Sequence, residues 1–482
     1  MKIAIAYPPL ESEKGIPLLT QNRQFQWFSR PTYIFPVVPA TAATMLKKAG
    51  HDVLFLDGIA AELSPEAFEA KLSAFAPDVV VLETKTPVVK RHWRWIDAFK
   101  KHSSAQVVLV GDHVTALPAE SMDACKVDYI LTGGDWDFLL SNLIHSRFNP
   151  VNFEPGIWYR DASGKVCDTG RFRLDHDLNS APWIDRDLVH WKLYAEKNGN
   201  FRRTPGTYIM SGRDCWHAKC TFCSWTTLYP TYRTRNVYDV VDEIDCLVTR
   251  YGVKEIMDDS GSFPVGSWLK TFCEEMIRRG LNRKVRIDCN MRFGRLKAAD
   301  YALMRKAGFR LVLFGVESAN QETLDRFCKK LTVKDVEEGA KWASEAGLDV
   351  HLTFMFGHAW EGPAEIAKTV ALARKLLSEG HASTLQCTLT IPYPGTPLFR
   401  ELDAADGLTT RDWDAYDMRH AITKTPYATE AQIKEAIRAV YRGFLQPRAL
   451  WHRLTTTRNL FDFSFYYRGL RSLLGHLVDF KN

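Results

Sequence analysis

The chain has 482 residues, of which 46% are hydrophobic and 25% are charged, and these are the proportions of an ordinary globular protein. This length predicts two or three domains, and no apolar run is long enough to span a bilayer. A net charge of +6 is too small to indicate a nucleic-acid partner. Ten cysteines in so long a chain exclude a small disulfide-rich secreted scaffold. The N-terminus is typical of a strand and not of a signal peptide, which favours a reducing cytoplasm.

Residues 1–145 alternate predicted strands and helices. Strands are predicted over residues 2–9, 51–58, 78–84, 105–113 and 127–134, with helices over 37–50 and 64–77. Continuous Val, Ile and Leu in the strands predict a parallel sheet covered on both faces, which is a Rossmann-like arrangement. Ligands of such sheets bind at the carboxyl ends of the strands. These ends carry Pro8, Pro9 and Lys85, together with the candidate ligand-binding residues Asp57, Glu83, Thr84, Gly111, Asp112, His113, Gly133 and Gly134.

A less regular connector, residues 146–204, contains one predicted hairpin at residues 156–172. Six further strands follow, each after the first preceded by a helix, at residues 207–212, 254–261, 285–292, 310–318, 349–358 and 383–395. Six such units predict a partial (β/α)6 barrel of the TIM type over residues 205–400, with its active face at the strand carboxyl ends. Residues 401–482 are predicted to form a helical, basic and aromatic C-terminal tail. The predicted fold class is therefore α/β.

Three cysteines, Cys215, Cys220 and Cys223, lie within nine residues just after the first barrel strand. Three thiolates can ligate three irons of a [4Fe-4S] cluster and leave the fourth iron open to bind a small molecule and pass it an electron. Zinc is the main alternative, but a zinc site needs four ligands, and only His217 is close enough in sequence to be the fourth. The spacing therefore favours an iron–sulfur cluster at the mouth of the barrel.

This loop resembles that of the radical S-adenosylmethionine (SAM) enzymes, whose usual pattern is Cys, three residues, Cys, two residues, Cys. Here four residues separate Cys215 from Cys220, so the loop departs from the pattern by one residue. The resemblance implies that Phe222 lies beside the adenine of SAM. It also implies that residues at the strand ends hold the methionine and ribose of SAM, through carboxylates among others. The candidates for these contacts are Asp258, Asp259, Ser260, Arg292, Glu317 and Ser318.

Each of these candidates has a structural alternative, namely a buried ion pair or a helix cap. Residues 232–235, with the sequence YRTR, are predicted either to contact an anionic group of SAM or the substrate, or to be the solvated start of a helix. His358 is predicted to be either a proton donor or a residue of a surface loop. No catalytic acid or base is assigned from the sequence.

The N-terminal unit, followed by the barrel, resembles the cobalamin-binding domain of the B12-dependent branch of the superfamily. That branch includes an anaerobic cyclase of bacteriochlorophyll synthesis and hopanoid-biosynthesis proteins. The resemblance implies that the strand-end residues of the N-terminal sheet contact cobalamin. The Asp-x-His-x-x-Gly motif that supplies an axial histidine elsewhere is absent, which implies cobalamin without a protein histidine ligand and places His113 at the corrin edge. The alternative is a domain that binds nothing and only packs against the barrel.

Together these resemblances imply an enzyme with three cofactors, a [4Fe-4S] cluster, SAM and cobalamin. A 5′-deoxyadenosyl radical would remove hydrogen from an unactivated carbon, and methylcobalamin would methylate that carbon. One alternative is a radical cyclase or ring-rearranging enzyme that acts on a tetrapyrrole or lipid-like substrate without methyl transfer. A cobalamin or redox sensor is another, although no effector domain such as a helix-turn-helix is recognisable.

The expected partners are a small-molecule substrate and an external electron donor of the flavodoxin or ferredoxin type. From Arg438 to the end the chain has eight basic and two acidic residues. The aromatic residues of this tail include Trp451, Phe461, Phe463, Phe465, Tyr466 and Tyr467. One interpretation is a segment on the inner-membrane surface, which would favour a hydrophobic substrate. The other is a cap that packs on the barrel.

Overall fold

The computed structural model describes residues 1–10, 12–17, 19, 27–28, 32–196, 198 and 201–447. The aromatic tail from Trp451 onward lies outside the described residues, so its two interpretations stay predictions. Two large sheets organise the described part of the chain, and both have their parallel strands where the sequence predicts them.

The N-terminal sheet consists of β1 (Lys2–Tyr7), β2 (Asp52–Asp57), β3 (Val79–Thr84), β4 (Gln106–Gly111), β5 (Tyr129–Leu131), β6 (Ile157–Arg160) and β7 (Val166–Asp168). Its strand order is β2-β1-β3-β4-β5-β6-β7, with the first five strands parallel and the last two antiparallel. The order reverses direction between β1 and β3, which is where ligands of doubly wound sheets bind. The predicted hairpin is β6–β7, and it extends this sheet.

The second sheet consists of β8 (Gly206–Ile209), β9 (Glu255–Asp258), β10 (Arg286–Met291), β11 (Phe309–Glu317), β12 (Asp349–Phe356) and β13 (Thr384–Leu389). Each strand pairs in parallel with the next one in the chain. This arrangement confirms the predicted six-stranded partial barrel.

The α-helices are α1 (Val37–Lys48), α2 (Pro65–Phe75), α3 (Val89–Phe99), α4 (Asp112–Ala116), α5 (Pro118–Ala124), α6 (Trp136–His145), α7 (Lys192–Ala195), α8 (Trp225–Leu228), α9 (Val237–Tyr251), α10 (Ser267–Arg278), α11 (Leu281–Lys284), α12 (Ala298–Lys306), α13 (Gln321–Arg326), α14 (Val333–Glu345), α15 (Pro363–Ser378), α16 (Pro397–Ala404) and α17 (Glu430–Arg442). Their ends follow local chemistry. Ser64 Oγ accepts a hydrogen bond from the Ala67 N–H (3.2 Å) to start α2, and Thr332 and Asp335 cap the start of α14 reciprocally.

Alternation along the strands divides the apolar residues of the N-terminal sheet between two cores. Ile3 and Ile5 belong to a large core that continues through the barrel, whereas Ala4 and Ala6 face a smaller one on the opposite side. Because the barrel and the N-terminal sheet share the large core, close packing fixes the position of one sheet against the other.

Candidate active site

The cysteine loop lies between β8 and α8. A short antiparallel ribbon, Gly212–Arg213 paired with Arg233–Thr234, closes its base. Cys215, Cys220 and Cys223 are all half-buried. The loop therefore follows the carboxyl end of the first barrel strand, as the sequence predicts, and holds its three thiols on one side of the barrel mouth.

The segment that follows α13 covers this loop. The Thr221 N–H donates to the Phe327 carbonyl (3.2 Å), and the Phe222 ring packs on the Phe327 ring with centroids 4.7 Å apart. His217 Nε2 lies 2.6 Å from the Cys328 carbonyl, and burial lowers the pKa of His217 to about 4. His217 is thus directed at backbone, which argues against its being a fourth metal ligand.

Two cations act on the Cys220 thiol, and one of them contacts its sulfur. Arg292 Nη1 is 3.6 Å from Cys220 Sγ, and Lys329 Nζ is 2.6 Å from Glu317 Oε1. Burial raises the pKa of Cys223 to about 12. Burial also raises the pKa of Cys220, but there the charges of Lys329 and Arg292 act in the opposite direction. Because the thiolate is the form that ligates metal, these cations favour the ligating form of Cys220.

Among the described residues, no three His, Cys, Asp or Glu side chains are grouped so that they could hold a single metal ion. A [4Fe-4S] cluster makes a different demand, because each thiolate binds a different iron and the sulfurs need not converge on one atom. Three half-buried thiols on one loop with a guanidinium beside one sulfur fit a cluster by their chemistry. They do not fit a zinc ion.

The end of β9 is tied to the base of the cysteine loop. Asp258 is fully buried and accepts hydrogen bonds from the Ser211 N–H and the Ser260 N–H, both at 3.0 Å. Ser260 Oγ in turn accepts from the Gly212 N–H (2.9 Å). Burial raises the pKa of Asp258, and hydrogen bonds from Ser211 and Ser260 lower it. Asp258 and Ser260 thus form part of the frame that positions the loop.

Asp214 is a site residue that sequence reasoning missed. It precedes Cys215, and its Oδ1 accepts a hydrogen bond from the Gly261 N–H (2.6 Å). A Cβ at position 261 would lie 2.2 Å from Asp214 Oδ2, so this close approach requires glycine. In the sequence, the glycine that directly follows the three residues DDS was the feature that could have indicated this contact.

Asp259, which lies between Asp258 and Ser260 in the sequence, is also buried. Its N–H donates a hydrogen bond to the Ile209 carbonyl (2.8 Å).

Tyr232, the first residue of YRTR, has a buried hydroxyl with no hydrogen-bond partner in the described part of the chain. Burial raises its pKa, and so do the charges of Asp258, Cys215 and Asp214. The phenol therefore lies close to these groups at the barrel mouth. An orphaned buried hydroxyl needs a partner, and at this position a bound ligand would supply one.

Glu317 and Ser318, the two candidate SAM-binding residues of the GVES motif, contact different parts of the protein. The Glu317 carboxylate pairs with Lys329, whose Nζ lies 5.9 Å from the centre of the Phe222 ring. Ser318 Oγ instead donates to Glu361 Oε1 (2.7 Å) inside a buried polar network. Only Glu317 is therefore brought to the cysteine loop.

His358 is buried, so the surface-loop interpretation of this residue is wrong. Its Nδ1 lies 2.8 Å from Thr390 Oγ1, and its ring contacts the rings of Phe327 and Trp360 with centroids 4.9 and 5.6 Å away. Its Nε2 has no hydrogen-bond partner among the residues that the structure describes. Burial lowers its pKa, which keeps this imidazole neutral at pH 7.

On the N-terminal sheet, two acidic strand-end residues are bonded to phenols. Asp57 Oδ2 accepts from the Tyr194 hydroxyl (2.6 Å), and Glu83 Oε2 accepts from the Tyr7 hydroxyl (2.5 Å). Burial raises the pKa of both carboxyl groups. Both side chains lie at the carboxyl edge of the sheet, and Glu83, on β3, borders the point where the strand order reverses.

Asp112 and His113 form the first turn of α4. Asp112 Oδ1 accepts from the His113 N–H (2.7 Å). The His113 ring is fully buried between Trp93 and Trp413, with centroids 6.0 and 5.3 Å away, and its Nε2 lies 3.3 Å from Glu120 Oε2. These contacts give His113 a packing role behind the edge.

The glycines at this edge permit close approaches. Gly111 has φ 123°, and a Cβ there would lie 2.1 Å from the carbonyl oxygen of Thr84. The Thr84 hydroxyl is hydrogen-bonded to His92 Nδ1 (2.8 Å). A Cβ on Gly133 would lie 2.4 Å from the Phe172 ring. These glycines allow neighbouring strand ends and the connector to meet.

Gly134 joins the N-terminal sheet to the helix that follows the cysteine loop. Its N–H donates to the Leu228 carbonyl (3.0 Å), and its carbonyl accepts from the Tyr229 hydroxyl (2.8 Å). A Cβ at position 134 would lie 2.0 Å from the Tyr229 ring. The carboxyl edges of the two sheets therefore meet next to the cysteine loop.

A buried ion network reinforces this contact. Arg213, at the base of the cysteine loop, pairs with Asp137 (2.5 Å) and Asp135 (3.1 Å) at the start of α6. Arg233 pairs with Asp135 (2.7 Å), and His176 Nδ1 is 3.1 Å from the same carboxylate. Hydrogen bonding to His176 and the charges of both arginines lower the pKa of Asp135. In YRTR, Arg233 is thus a link between the domains and not a free anion-binding group.

Comparison with known proteins agrees with this geometry. Residues 209–373 match the model of the radical SAM superfamily. The bacteriochlorophyllide d C-8(2)-methyltransferase of Chlorobaculum tepidum is 30% identical over 389 residues, covering 76% of this chain and 77% of that protein. The chain belongs to the radical SAM superfamily.

A second curated relative and a solved structure extend the comparison. The anaerobic magnesium-protoporphyrin IX monomethyl ester cyclase of Cereibacter sphaeroides is 28% identical over 422 residues, and the match spans 84% of this chain but only 66% of the cyclase. The structure of the radical SAM methyltransferase TsrM from Kitasatospora setae, with cobalamin and a [4Fe-4S] cluster bound, superposes with a TM-score of 0.68 at 14% identity over 98% of both chains. This likeness confirms the predicted two-part fold over nearly the whole length.

The protein is therefore a radical SAM enzyme, and its cofactors include a [4Fe-4S] cluster and SAM. None of the helices in the described part of the chain combines the length and the apolar character needed to cross a bilayer.

Proposed function

We propose that the protein is a cobalamin-dependent radical SAM enzyme that methylates an unactivated carbon of a small organic substrate. The contact between the two strand edges carries this proposal. Gly134 and α8 are hydrogen-bonded, and a Cβ on Gly395 would lie 2.8 Å from Ala116 and 3.1 Å from Thr227. The ligand-binding edge of the N-terminal sheet thus lies opposite the barrel mouth, so that two cofactors can act on one substrate between them.

On the barrel side, Cys215, Cys220 and Cys223 would ligate the cluster. Phe222 and Glu317 would contact SAM, together with the Tyr232 hydroxyl, which lacks a partner among the described residues. When bound, the cluster and SAM supply radical chemistry, and cobalamin carries the methyl group. The protein would hold these groups in position.

On the N-terminal side, Glu83, Thr84 and Asp112 stand at the strand ends where cobalamin would lie. Asp57, Gly111, His113, Gly133 and Gly134 would shape this edge from behind through the contacts described above. On the barrel, Asp258, Asp259, Ser260 and Ser318 would act in the same way, while Arg292 would offset the negative charge of the cluster. An external low-potential donor of the flavodoxin or ferredoxin type would supply the electrons, consistent with a cytoplasmic enzyme.

The relatives support a methyltransferase. The Chlorobaculum tepidum protein is named as a methyltransferase of bacteriochlorophyllide d, and TsrM is a methyltransferase with cobalamin bound. The cyclase of Cereibacter sphaeroides supports a second candidate, radical cyclisation of a tetrapyrrole without methyl transfer.

Anaerobic reconstitution with iron, sulfide and hydroxocobalamin, followed by SAM and a reductant, tests the proposal. We expect charge-transfer absorption of the cluster, the corrin bands of bound cobalamin, and both 5′-deoxyadenosine and S-adenosylhomocysteine among the products. Cys220→Ala should lose the cluster absorption and keep cobalamin. Cys246→Ala, which removes a half-buried free thiol on α9, should keep both.

Failure of the purified protein to retain cobalamin would contradict the proposal. 5′-Deoxyadenosine without S-adenosylhomocysteine, in the presence of a tetrapyrrole, would favour the cyclase. The absence of both products from a fully reconstituted protein would argue for a sensor.

A further inference from the structure

Basic residues are concentrated around the cysteine loop. Three segments meet here, residues 213–223, 292–297 and 326–334, and they contain nine basic residues and a single acid, Asp214. The whole chain is nearly balanced, with 63 basic and 57 acidic residues, so the excess is local. Three of the nine are buried and have the partners described above: Arg213, Arg292 and Lys329. The other six are exposed: Lys219, Arg295, Lys297, Arg326, Lys330 and Lys334.

Two of the exposed cations lie on the cysteine loop or directly beside it. Lys219 immediately precedes Cys220. The Arg295 guanidinium lies over the ring of Trp216, with its central carbon 5.4 Å from the ring centre, and Trp216 immediately follows Cys215. Each cation is therefore next to a proposed ligand of the cluster, either directly or through one side chain.

A third exposed cation, Lys330, belongs to the segment that follows α13 and covers the loop. The carbonyls of Arg326 and Phe327 in this segment accept hydrogen bonds from the hydroxyl and the N–H of Thr221, both at 3.2 Å. Lys330 is thus held at the same surface as the other two cations, although it lies more than 100 residues further along the chain.

The charges of these three residues are available to a partner. Within the described part of the chain, none of the three forms an ion pair. The three remaining exposed cations lie at the border of the surface, and each is next to an acid: Arg326 by Glu401, Lys334 by Glu338 and Lys297 by Asp335. We refer to Lys219, Arg295 and Lys330 together as the basic patch.

The opposite side of the cysteine loop faces the N-terminal sheet. Cys223 leads into α8, and the Leu228 carbonyl at the end of α8 accepts a hydrogen bond from the Gly134 N–H. The space on that side is the one assigned above to SAM, cobalamin and the substrate. A partner protein therefore approaches the proposed cluster from the exposed side, where the basic patch lies.

We propose that the basic patch is the docking surface for an acidic one-electron carrier protein of the flavodoxin or ferredoxin type, an inference that rests on the proposed cluster ligands. Opposite charges on two surfaces speed their encounter and orient the partners, and salt weakens this effect. The reduced carrier loses one electron and the cluster gains it, and no proton or covalent bond passes between the two proteins. The patch positions the carrier beside Cys215 and Cys220.

The test compares wild type with a patch variant that combines Lys219→Glu, Arg295→Glu and Lys330→Glu. The matched control combines three substitutions that change the net charge by the same amount: Lys48→Glu, Lys101→Glu and Lys126→Glu. These control lysines are exposed and shortly precede β2, β4 and β5, so they lie at the amino edge of the N-terminal sheet, away from the cysteine loop.

Each reconstituted protein is mixed anaerobically with a purified acidic flavodoxin in its hydroquinone form. Stopped-flow absorption gives the second-order rate constant for oxidation of the flavin. Titration with oxidised flavodoxin, followed by flavin fluorescence, gives the Kd of the complex with and without the cluster. Photoreduced deazariboflavin, a small reductant that needs no docking surface, tests whether the cluster itself can be reduced.

At low salt we expect the patch variant to be reduced by flavodoxin about tenfold more slowly than wild type and to bind it more weakly, while the control stays close to wild type. The difference should largely disappear at about 0.5 M salt, because exposed charges are then screened. Deazariboflavin should reduce all three proteins equally. A variant with glutamine at the three patch positions should fall between wild type and the glutamate variant.

An equal loss of rate in the patch variant and the control would overturn the inference, since only the net charge would then matter. An unchanged rate in the patch variant at low salt would overturn it as well. So would patch-dependent binding of wild type to phosphatidylserine vesicles that is tighter than its binding to flavodoxin. If the glutamate variant assembles no cluster, the glutamine variant and the titration without the cluster decide the question. Failure of the wild type to assemble a cluster would instead reject the proposed cluster ligands.

Discussion

At the scale of single residues, the cysteine loop depends on contacts with parts of the chain that are distant in sequence. The Asp214 carboxylate is held by the Gly261 N–H across 47 residues, and it directly precedes Cys215. Gly261 provides a donor and leaves the space that the carboxylate occupies. A side chain at this glycine would displace the residue next to the first thiol.

We expect Gly261→Ala to reduce stability by about 1–3 kcal/mol, the usual cost of overpacking, and to lower the iron content after reconstitution. The reason is the Cβ that would lie 2.2 Å from Asp214 Oδ2. Urea unfolding and iron analysis check both effects. In Gly362→Ala the nearest atom to the new Cβ is 3.4 Å away, so this control should change little. An equal effect of the two substitutions would contradict the argument.

His176 gives the link between the domains a pH dependence. Hydrogen bonds to Asp135 and Glu154 raise its pKa above the unfolded value of about 6.5. Its contribution to stability is therefore complete below pH 6.5 and is lost as the pH rises through the folded pKa. At pH 5.5 the urea unfolding midpoint of wild type should exceed that of His176→Gln. The difference between the two midpoints should be smaller at pH 9. His102→Gln, at a mostly exposed side chain, should show no such change, and a constant gap for His176→Gln would refute the assignment.

At the scale of secondary structure elements, the amino and carboxyl ends of the barrel strands have different roles. The carboxyl ends carry the cysteine loop and its surroundings. The amino ends enclose Arg310, which pairs with Glu255 (2.8 Å), Asp288 (2.7 Å) and Asp349 (3.1 Å) from three other strands. Burial raises the pKa of Asp288, and the Arg310 guanidinium neutralises this acidic cluster together with Arg202, which also pairs with Asp349 (3.2 Å).

Arg310→Met should destabilise the protein by about 3–5 kcal/mol, because it leaves the buried Asp288 carboxylate without the cation that pairs with it. The proposed cluster and SAM sites lie at the opposite strand ends, so folded Arg310→Met should keep the wild-type cluster spectrum and SAM affinity at low temperature. Chemical unfolding and anaerobic absorption spectra measure the two effects separately. Lys270→Met breaks only an exposed pair (3.8 Å) and should alter stability by less than about 1 kcal/mol. If the folded variant lost the cluster to the same degree as it lost stability, the two ends of the strands would not have separate roles.

At the scale of the whole molecule, the N-terminal sheet and the barrel are joined next to the reactive site. The join consists of Gly134 against α8 and of the network around Arg213. These buried polar contacts fix the distance between the carboxyl edges of the two sheets.

Arg213→Met should lower the free energy of unfolding by about 3–5 kcal/mol, since Asp137 loses its buried partner. Arg213→Met combined with Asp137→Leu should recover part of this loss, because the second change removes the uncompensated charge. Urea unfolding of wild type, both single variants and the double variant measures the coupling. Simple additivity of the two single effects would show that the pair is not coupled.

The sequence alone determined the two alternations of strand and helix, because a parallel strand that is buried on both faces must be continuously apolar and must be followed by a covering helix. It also determined the cysteine loop, because the chemistry needs three thiols within a short segment. It could not separate Glu317 from Ser318, since the register of β11 against β12 shifts between Gly315 and Glu317 and directs these adjacent side chains to different partners. The hydrogen bond between Asp214 and the Gly261 N–H was equally hidden. Whether a buried polar group has a partner depends on residues brought together by folding, and only the tertiary structure decides that.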